Sequence, residues 1–223
     1  MRDRDQLSSQ EGHRMSFTSR TVGLIAATLL TVPLTQAHAG VPHRIAAAPV
    51  GPNLINNGSF LSPGVTREQR LKAFNADTDA PITPWEVTAG EVHIFSEHEA
   101  GAGGAQAADL TGGPKATIRQ VVHLNDGTRY RLTWQERTES WEGCGEKPAE
   151  NQKYQVAVTG QRTKTYTPTS SWQPPDPNPL DFTATADDTV VQFISASDNN
   201  VAPAHCGAMI TRVSLKELRS GNN

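Results

Sequence analysis

The chain has 223 residues, and what it lacks removes several classes of function. Helical periodicity is nearly absent. Only "TREQRLKAF", Thr66 to Phe74, spaces its apolar residues for a turn or two of helix, which argues against bundles and α/β enzymes. The one apolar segment, "VGLIAATLLTVPL" from Val22 to Leu34, has 13 residues, against roughly 20 for a membrane-spanning helix. No basic run follows it, and phosphate neutralisation needs clustered Lys and Arg, so nucleic acid is not an expected partner. No Gly-x-Ser-x-Gly elbow, His-Glu-x-x-His or Cys-His nucleophile pair occurs. No catalytic residue, metal or cofactor is therefore assigned.

What is present begins with an export signal. Arg20 precedes the apolar segment and Ala37-His38-Ala39 follows it as a small-x-small site. Residues 1–39 read as a signal peptide cleaved before Gly40, with Met15 as an alternative start. After processing, no membrane span is expected. Residues 40–223 carry 16 basic and 20 acidic side chains, a near-neutral balance. Their number suits one domain with a full core. Residues 40–52, rich in Ala, Pro and Gly, read as a flexible leader, 53–218 as the domain and 219–223 as a tail. Cys144 and Cys206 are the two cysteines. An even count in an exported chain reads as one disulfide, with two free thiols or a partial metal site as the alternatives.

From Asn53 onward, short β-type segments alternate with turn residues. "WEVTAGEVHIF" (Trp85 to Phe95) sets Val92 and Ile94 against His93 and Phe95. "ATIRQVVHL" aligns Ile118, Gln120, Val122 and Leu124 ahead of an Asn-Asp-Gly turn. "TRYRLTWQERT" is the clearest strand, with Tyr130, Leu132 and Trp134 on one face. Arg129, Arg131, Thr133, Gln135 and Arg137 lie on the other, the mark of a half-buried antiparallel strand. "QKYQVAVTG", "LDFTAT", "TVVQFIS" and "AMITRVSLKEL" complete a set of about nine strands. In the last, Met209, Thr211, Val213 and Leu215 are expected to alternate against Ile210, Arg212, Ser214 and Lys216. The predicted fold is all-β, a two-sheet antiparallel jelly-roll sandwich.

The opening "NLINNGSF", Asn53 to Phe60, resembles the first strand of jelly-roll carbohydrate-binding modules and galactose-binding-like domains. "PWEVTAGEVHIF", "QAADLTGGPKATIRQVV" and "TRYRLTW" are similar to segments that follow in the same order. The close "HCGAMITRVSLKEL" resembles that of a narrower group, the secreted cell-wall family called domain-of-unknown-function family 642. The likeness covers Asn53 to Leu218. It implies a Cys144–Cys206 bridge, polysaccharide or related glycan as the partner, and association with extracellular wall-modifying proteins. It places the protein outside the cell or in the cell wall. Many such jelly rolls hold a calcium ion between the opening and closing strands. The acidic positions of that arrangement are Leu61 and Thr211-Arg212 here, so no calcium is expected.

Two acidic clusters are read as solvated segments. One is His93, Glu97, His98 and Glu99; the other is Glu136, Glu139, Glu142, Glu146 and Glu150. The stronger candidates are rings in loops. Trp141 and Trp172 sit where little core is expected, and sugars stack on such rings. Arg131, Gln135 and Arg137 are expected to supply hydrogen bonds, Arg suiting carboxylates. Trp141 is expected to matter for binding and little for folding. The reading that follows is a non-catalytic secreted glycan-binding module. Its alternatives are an extracellular protein-interaction or structural module that binds no sugar, and a glycan-active enzyme.

Overall fold

The computed structural model describes residues 48–76, 82–110, 115–141, 143–144, 149–173, 179–197 and 206–219. The segment read as a signal peptide and most of the segment read as a leader lie outside them. Residues 45–223 form one compact unit. Among the described residues, no helix is long and apolar enough to cross a membrane.

Among the described residues, twelve strands, one α-helical turn and one 3-10 turn follow in order: β1 Pro49–Val50, β2 Leu71–Asn75, β3 Glu86–Ala89, β4 Glu91–Phe95, α1 Glu97–Ala100, β5 Ala107–Asp109, β6 Thr117–His123, β7 Arg129–Thr138, the 3-10 turn Ala149–Gln152, β8 Tyr154–Val158, β9 Lys164–Tyr166, β10 Leu180–Thr183, β11 Asp188–Ser195 and β12 Ala208–Leu218. They form two antiparallel sheets. The seven-stranded sheet runs β10-β7-β12-β5-β4-β2, with β1 on the end of β12, and the five-stranded sheet runs β3-β6-β11-β8-β9. The chain crosses repeatedly between sheets, as in a jelly roll.

Several boundaries differ from the sequence reading, each for a local reason. "WEVTAGEVHIF" is two strands, because Gly90 takes a left-handed φ of 61° and sends β3 and β4 into different sheets. Thr66 and Gln69 close a side-chain-bonded turn, and Leu71 to Asn75 then pair with β4 as a strand instead of a helix. The α-helical turn is at Glu97–Ala100, where the Ser96 hydroxyl caps the Glu99 N–H and Gly101 ends it at φ 61°.

"NLINNGSF" joins no ladder. It is tied to the sandwich largely by side-chain amides. Asn53 Nδ2 donates to Val213 O (3.1 Å), and its Oδ1 accepts the N–H groups of Ile55 (3.0 Å) and Leu215 (2.8 Å). The buried Gln120 exchanges two hydrogen bonds with the Asn56 backbone, 3.0 and 2.9 Å. Asn57 Nδ2 donates to Ser62 O (2.5 Å) and Thr83 O (3.2 Å). These bonds satisfy backbone groups that a ladder would otherwise pair.

Aromatic residues are only 6% of the chain, and most of the core is built around one run of them. Phe60 meets Trp85 at 5.4 Å between centroids, Trp85 meets Phe193 at 6.2 Å, and Phe193 meets Trp134 at 5.6 Å. Tyr166 stands edge-on to Trp134 at 5.1 Å and stacks on Tyr154 at 5.5 Å. The polar ends are satisfied: Trp134 Nε1 donates to Tyr154 Oη (2.7 Å), and Trp85 Nε1 to Asn57 O (3.1 Å). Burial raises the Tyr166 hydroxyl pKa, and the Glu136 carboxylate raises it further. Cys144 and Cys206 are bonded, with Cα atoms 5.4 Å apart and a sequence separation of 62. Closing a loop of that length restricts the unfolded chain by about 4 kcal/mol on the chain-entropy account.

The Asn-Asn-Gly of the opening segment has a steric cause. A Cβ on Gly58 would lie 2.1 Å from Val213 O, while Val213 N donates to Gly58 O at 2.9 Å. Backbone touches backbone there, and neither side can yield cheaply. Gly58→Ala is expected to cost about 1–3 kcal/mol. A lower denaturant midpoint at an unchanged m-value would show it.

Candidate functional site

The outer face of the seven-stranded sheet carries the sequence-predicted residues, in two neighbouring groups. β7 lies between β10 and β12, so its outward side chains are flanked on both sides. Its alternation holds, with Tyr130, Leu132 and Trp134 in the core. The alternation of β12 does not. Thr211 pairs with Gln135 and Ser214 with Thr133, so three steps on β12 match two on β7. Arg212 makes this bulge, with φ 51°. Ile210 joins Val213 and Leu215 in the main core as a result and Met209 faces away from it, contrary to the alternation expected for this strand, while Ser214 and Lys216 line the groove on the outer face.

The bulge produces a polar groove with a cavity volume of about 250 Å³. Arg131, Thr133 and Gln135 line it from β7, Arg212, Ser214 and Lys216 from β12, and Pro49 from β1. Trp134 reaches it only marginally, being 1% exposed. Arg131 forms a two-point pair with Asp181 of β10, at 2.6 and 2.8 Å. The hydrogen bond from Arg131 holds the Asp181 carboxyl below its ordinary pKa of 3.8. Stability from this pair is therefore present above that pH and lost as pH falls through the lower folded value. Arg212 Nη2 donates to Ala102 O (2.8 Å) and Gly103 O (2.7 Å), tying the turn after α1 to β12.

Next to the groove, the same sheet face is covered by a small second core. Phe95, Ala107 and Met209 project outward and meet Ala100, Ala102 and Ala105, with Leu71, Trp141 and Trp172 packed against them. Trp141 stands edge-on to Phe95, centroids 6.1 Å apart, and Arg70 lies 4.9 Å from its ring. Trp172 Nε1 donates to Ala100 O (2.8 Å), and Arg137 lies 5.4 Å from the Trp172 ring. Burial lowers the Arg137 pKa, opposed by the Glu139 and Asp109 carboxylates. A guanidinium there still keeps its charge. The structure thus brings Gln135 and Arg131 together in the groove, and Trp141, Trp172 and Arg137 together beside it. Both indoles are half-buried and packed, which changes the expectation that Trp141 matters little for folding.

The other candidates separate. His93 Nε2 lies 2.7 Å from Glu91 Oε1, and Glu99 pairs with Arg70 at 3.2 Å. Glu97 and His98 line a wider depression of about 610 Å³ over α1. Glu136 and Glu139 are buried, whereas Glu142, Glu146 and the Glu150 side chain lie outside the described residues. Among the described residues, the metal-type ligands that converge are Glu139, Cys144 and Cys206, within 4.8 Å of one another. The two sulfurs are bonded to each other.

The junction of the opening and closing segments does not fit calcium, which needs several oxygen ligands with carboxylates among them. The buried Gln106 amide donates to Phe60 O and to Pro63 O (3.1 Å), and its Oε1 accepts Val65 N–H at 2.5 Å. The Thr211 hydroxyl donates to Gln106 O (2.6 Å), and the Arg212 cation stands beside it. Lys216, Ser214 and Arg212 were missed as groove residues. The spacing from Ile210 to Val213, three instead of two, was the available signal.

The family described as "Protein of unknown function (DUF642)" matches residues 53–216. No curated protein matches the chain. Among solved structures, TmCBM61 in complex with β-1,4-galactotriose is 15% identical, with a TM-score of 0.45, covering 75% of this chain and 99% of that one. A family 35 carbohydrate-binding module from Clostridium thermocellum is 12% identical, with a TM-score of 0.40, covering 66% and 92%. A family two carbohydrate esterase from Cellvibrio japonicus is 12% identical, with a TM-score of 0.36, covering 67% and 34%.

Two outcomes follow from the packing. Trp141→Ala should lower stability by about 2 kcal/mol, a half-buried share of what a fully buried ring loses, or roughly 5 °C in thermal midpoint. Gln106→Leu strands the backbone groups of Phe60, Pro63 and Val65. At about 1–3 kcal/mol for an unpaired buried group, equilibrium unfolding should show the larger loss for this variant.

Proposed function

We propose, from the premise that this chain belongs to the DUF642 family, that its sandwich is a non-catalytic secreted module that binds extracellular polysaccharide. The site is the outer face of the seven-stranded sheet. Arg131 and Gln135 act in the groove, and Trp141, Trp172 and Arg137 bound its neighbouring end.

One observation carries the reading. Thr133, Gln135 and Ser214 face a common groove, and among the described residues their side chains make no hydrogen bond. Thr133 and Gln135 are largely covered, yet their side-chain polar atoms are not among the fully buried ones, so their hydrogen-bonding capacity is turned to the groove. A row of idle hydroxyl and amide groups, fixed by a sheet, suits a ligand that presents several hydroxyls. Two further points support it. The order of motifs resembles that of carbohydrate-binding jelly rolls. The export signal and the disulfide suit an extracellular or cell-wall site.

The alternative is a protein-interaction module that binds no sugar. It is favoured by Val121, 53% exposed on β6 in the five-stranded sheet. A glycan array separates the two. On the polysaccharide that the array retains, Gln135→Ala should weaken binding about tenfold, the loss of one or two directional hydrogen bonds. Its thermal midpoint should stay near that of the parent. Unchanged binding by folded Gln135→Ala would remove the groove as the site.

A further inference from the structure

We infer that the groove selects carboxylated polysaccharide, a uronate-bearing chain, and that Lys216 is the residue that meets the carboxylate. The inference rests on the glycan-binding reading above and adds the ligand's charge and the residue that reads it. The whole chain has a formal charge of −3, yet the groove is lined by Arg131, Arg212 and Lys216, and no Asp or Glu is among its described lining residues. Positive charge is therefore gathered here against the balance of the chain.

The three cations are differently committed. Arg131 is paired with Asp181, and Arg212 Nη2 is held by the carbonyls of Ala102 and Gly103. Lys216 has no ion pair or hydrogen bond among the described residues. It is also directly opposite Arg131 in the β7–β12 ladder, and Arg131 is directly opposite Asp181 in the β7–β10 ladder. Like charges on directly opposed residues repel. The row Asp181–Arg131–Lys216 thus holds one anion and two cations. Arg129 and Lys164 act on Asp181 as well, adding to the positive surplus. A ligand carboxylate beside Lys216 would balance the row, through a charge-assisted hydrogen bond.

The groove also lacks what a neutral sugar would use most. Among its described lining residues Trp134 is the one aromatic and is almost fully buried, so none of them offers a ring face for stacking. Recognition falls to ionic and hydrogen-bonding groups: Lys216 for the carboxylate, and Thr133, Gln135 and Ser214 for hydroxyls. The bulge at Arg212 is what places Lys216 there. An unbulged β12 would turn Lys216 to the core side and Leu215 into the groove.

The test is calorimetric titration of the full chain with three probes. These are a galacturonate oligosaccharide, a neutral galactose oligosaccharide of equal length, and polyglutamate as a carboxylated polymer without sugar. The uronate should bind at least tenfold more tightly than the neutral chain, and the margin should shrink with added salt. Lys216→Met should cut the uronate-to-neutral preference about tenfold. Asp181→Asn, which removes the competing carboxylate, should strengthen uronate binding several-fold, whereas a merely structural Asp181 would give weaker binding. Equal affinity for both oligosaccharides, or an unchanged preference in folded Lys216→Met, overturns the inference. Binding of the neutral chain alone does so while leaving the glycan reading in place. Binding of neither, or polyglutamate as tight as uronate, overturns the inference, and the glycan reading falls with it only if the glycan array also retains no polysaccharide.

Discussion

Between Thr211 and Ser214 the closing strand takes one residue more than β7 opposite it, and the outer face of the seven-stranded sheet depends on that residue. Side chains alternate strictly along a strand, so one inserted residue exchanges the faces of everything beyond it. Before the bulge, Met209 points outward into the second core, and after it Ser214 and Lys216 line a polar groove. Val213 and Leu215, which would have faced solvent, enter the main core instead. Arg212 carries the left-handed backbone of the bulge, and its guanidinium fixes the turn after α1. A single backbone irregularity thus separates an apolar half of the face from a polar one.

The bulge is held in turn by the opening segment. Val213 N donates to Gly58 O, Asn53 bridges Val213 O and Leu215 N, and Leu54 N donates to Leu215 O. The segment supplies β12 with partners on the stretch between its pairings with β5 and β1. Side-chain amides can do this where a regular ladder cannot follow a bulged strand. Gln106 does similar work nearby, joining Phe60, Pro63 and Val65 through one neutral side chain. Neutral amides serve here because they donate and accept at once, so backbone N–H and C=O groups are satisfied together.

Charge on this face is handled in two ways. Arg137 is desolvated beneath Trp172 with the Glu139 and Asp109 carboxylates nearby, an arrangement that stabilises a fixed geometry. Lys216 is half-exposed at the floor of an open groove, where a cation keeps its hydration until a ligand replaces it. Both lie on the same sheet face. The difference between structural and available charge comes from what covers each one.

The amino-acid sequence by itself determined the sandwich, the inward faces of β6, β7 and β8, the pairing of the two cysteines and the polar row of β7. Those features follow from period-two alternation and from residue types that suit one environment, and Tyr130-Leu132-Trp134 is legible without a partner strand. Gly58 reads in sequence only as part of the opening motif, and the Val213 carbonyl that makes glycine necessary comes from the fold. Trp141 and Trp172 were legible only as loop rings, because what packs on a loop residue comes from distant parts of the chain: Phe95, Arg70, Ala100 and Arg137. The split of Trp85 to Phe95 into two sheets and the bulge at Arg212 were decided by tertiary structure alone. Register is a relation between strands, and a residue's face is fixed only once its neighbour's hydrogen bonds are known. Lys216 therefore reads in sequence as one more polar position on an edge of alternation, and becomes a groove residue only when β12 is laid against β7.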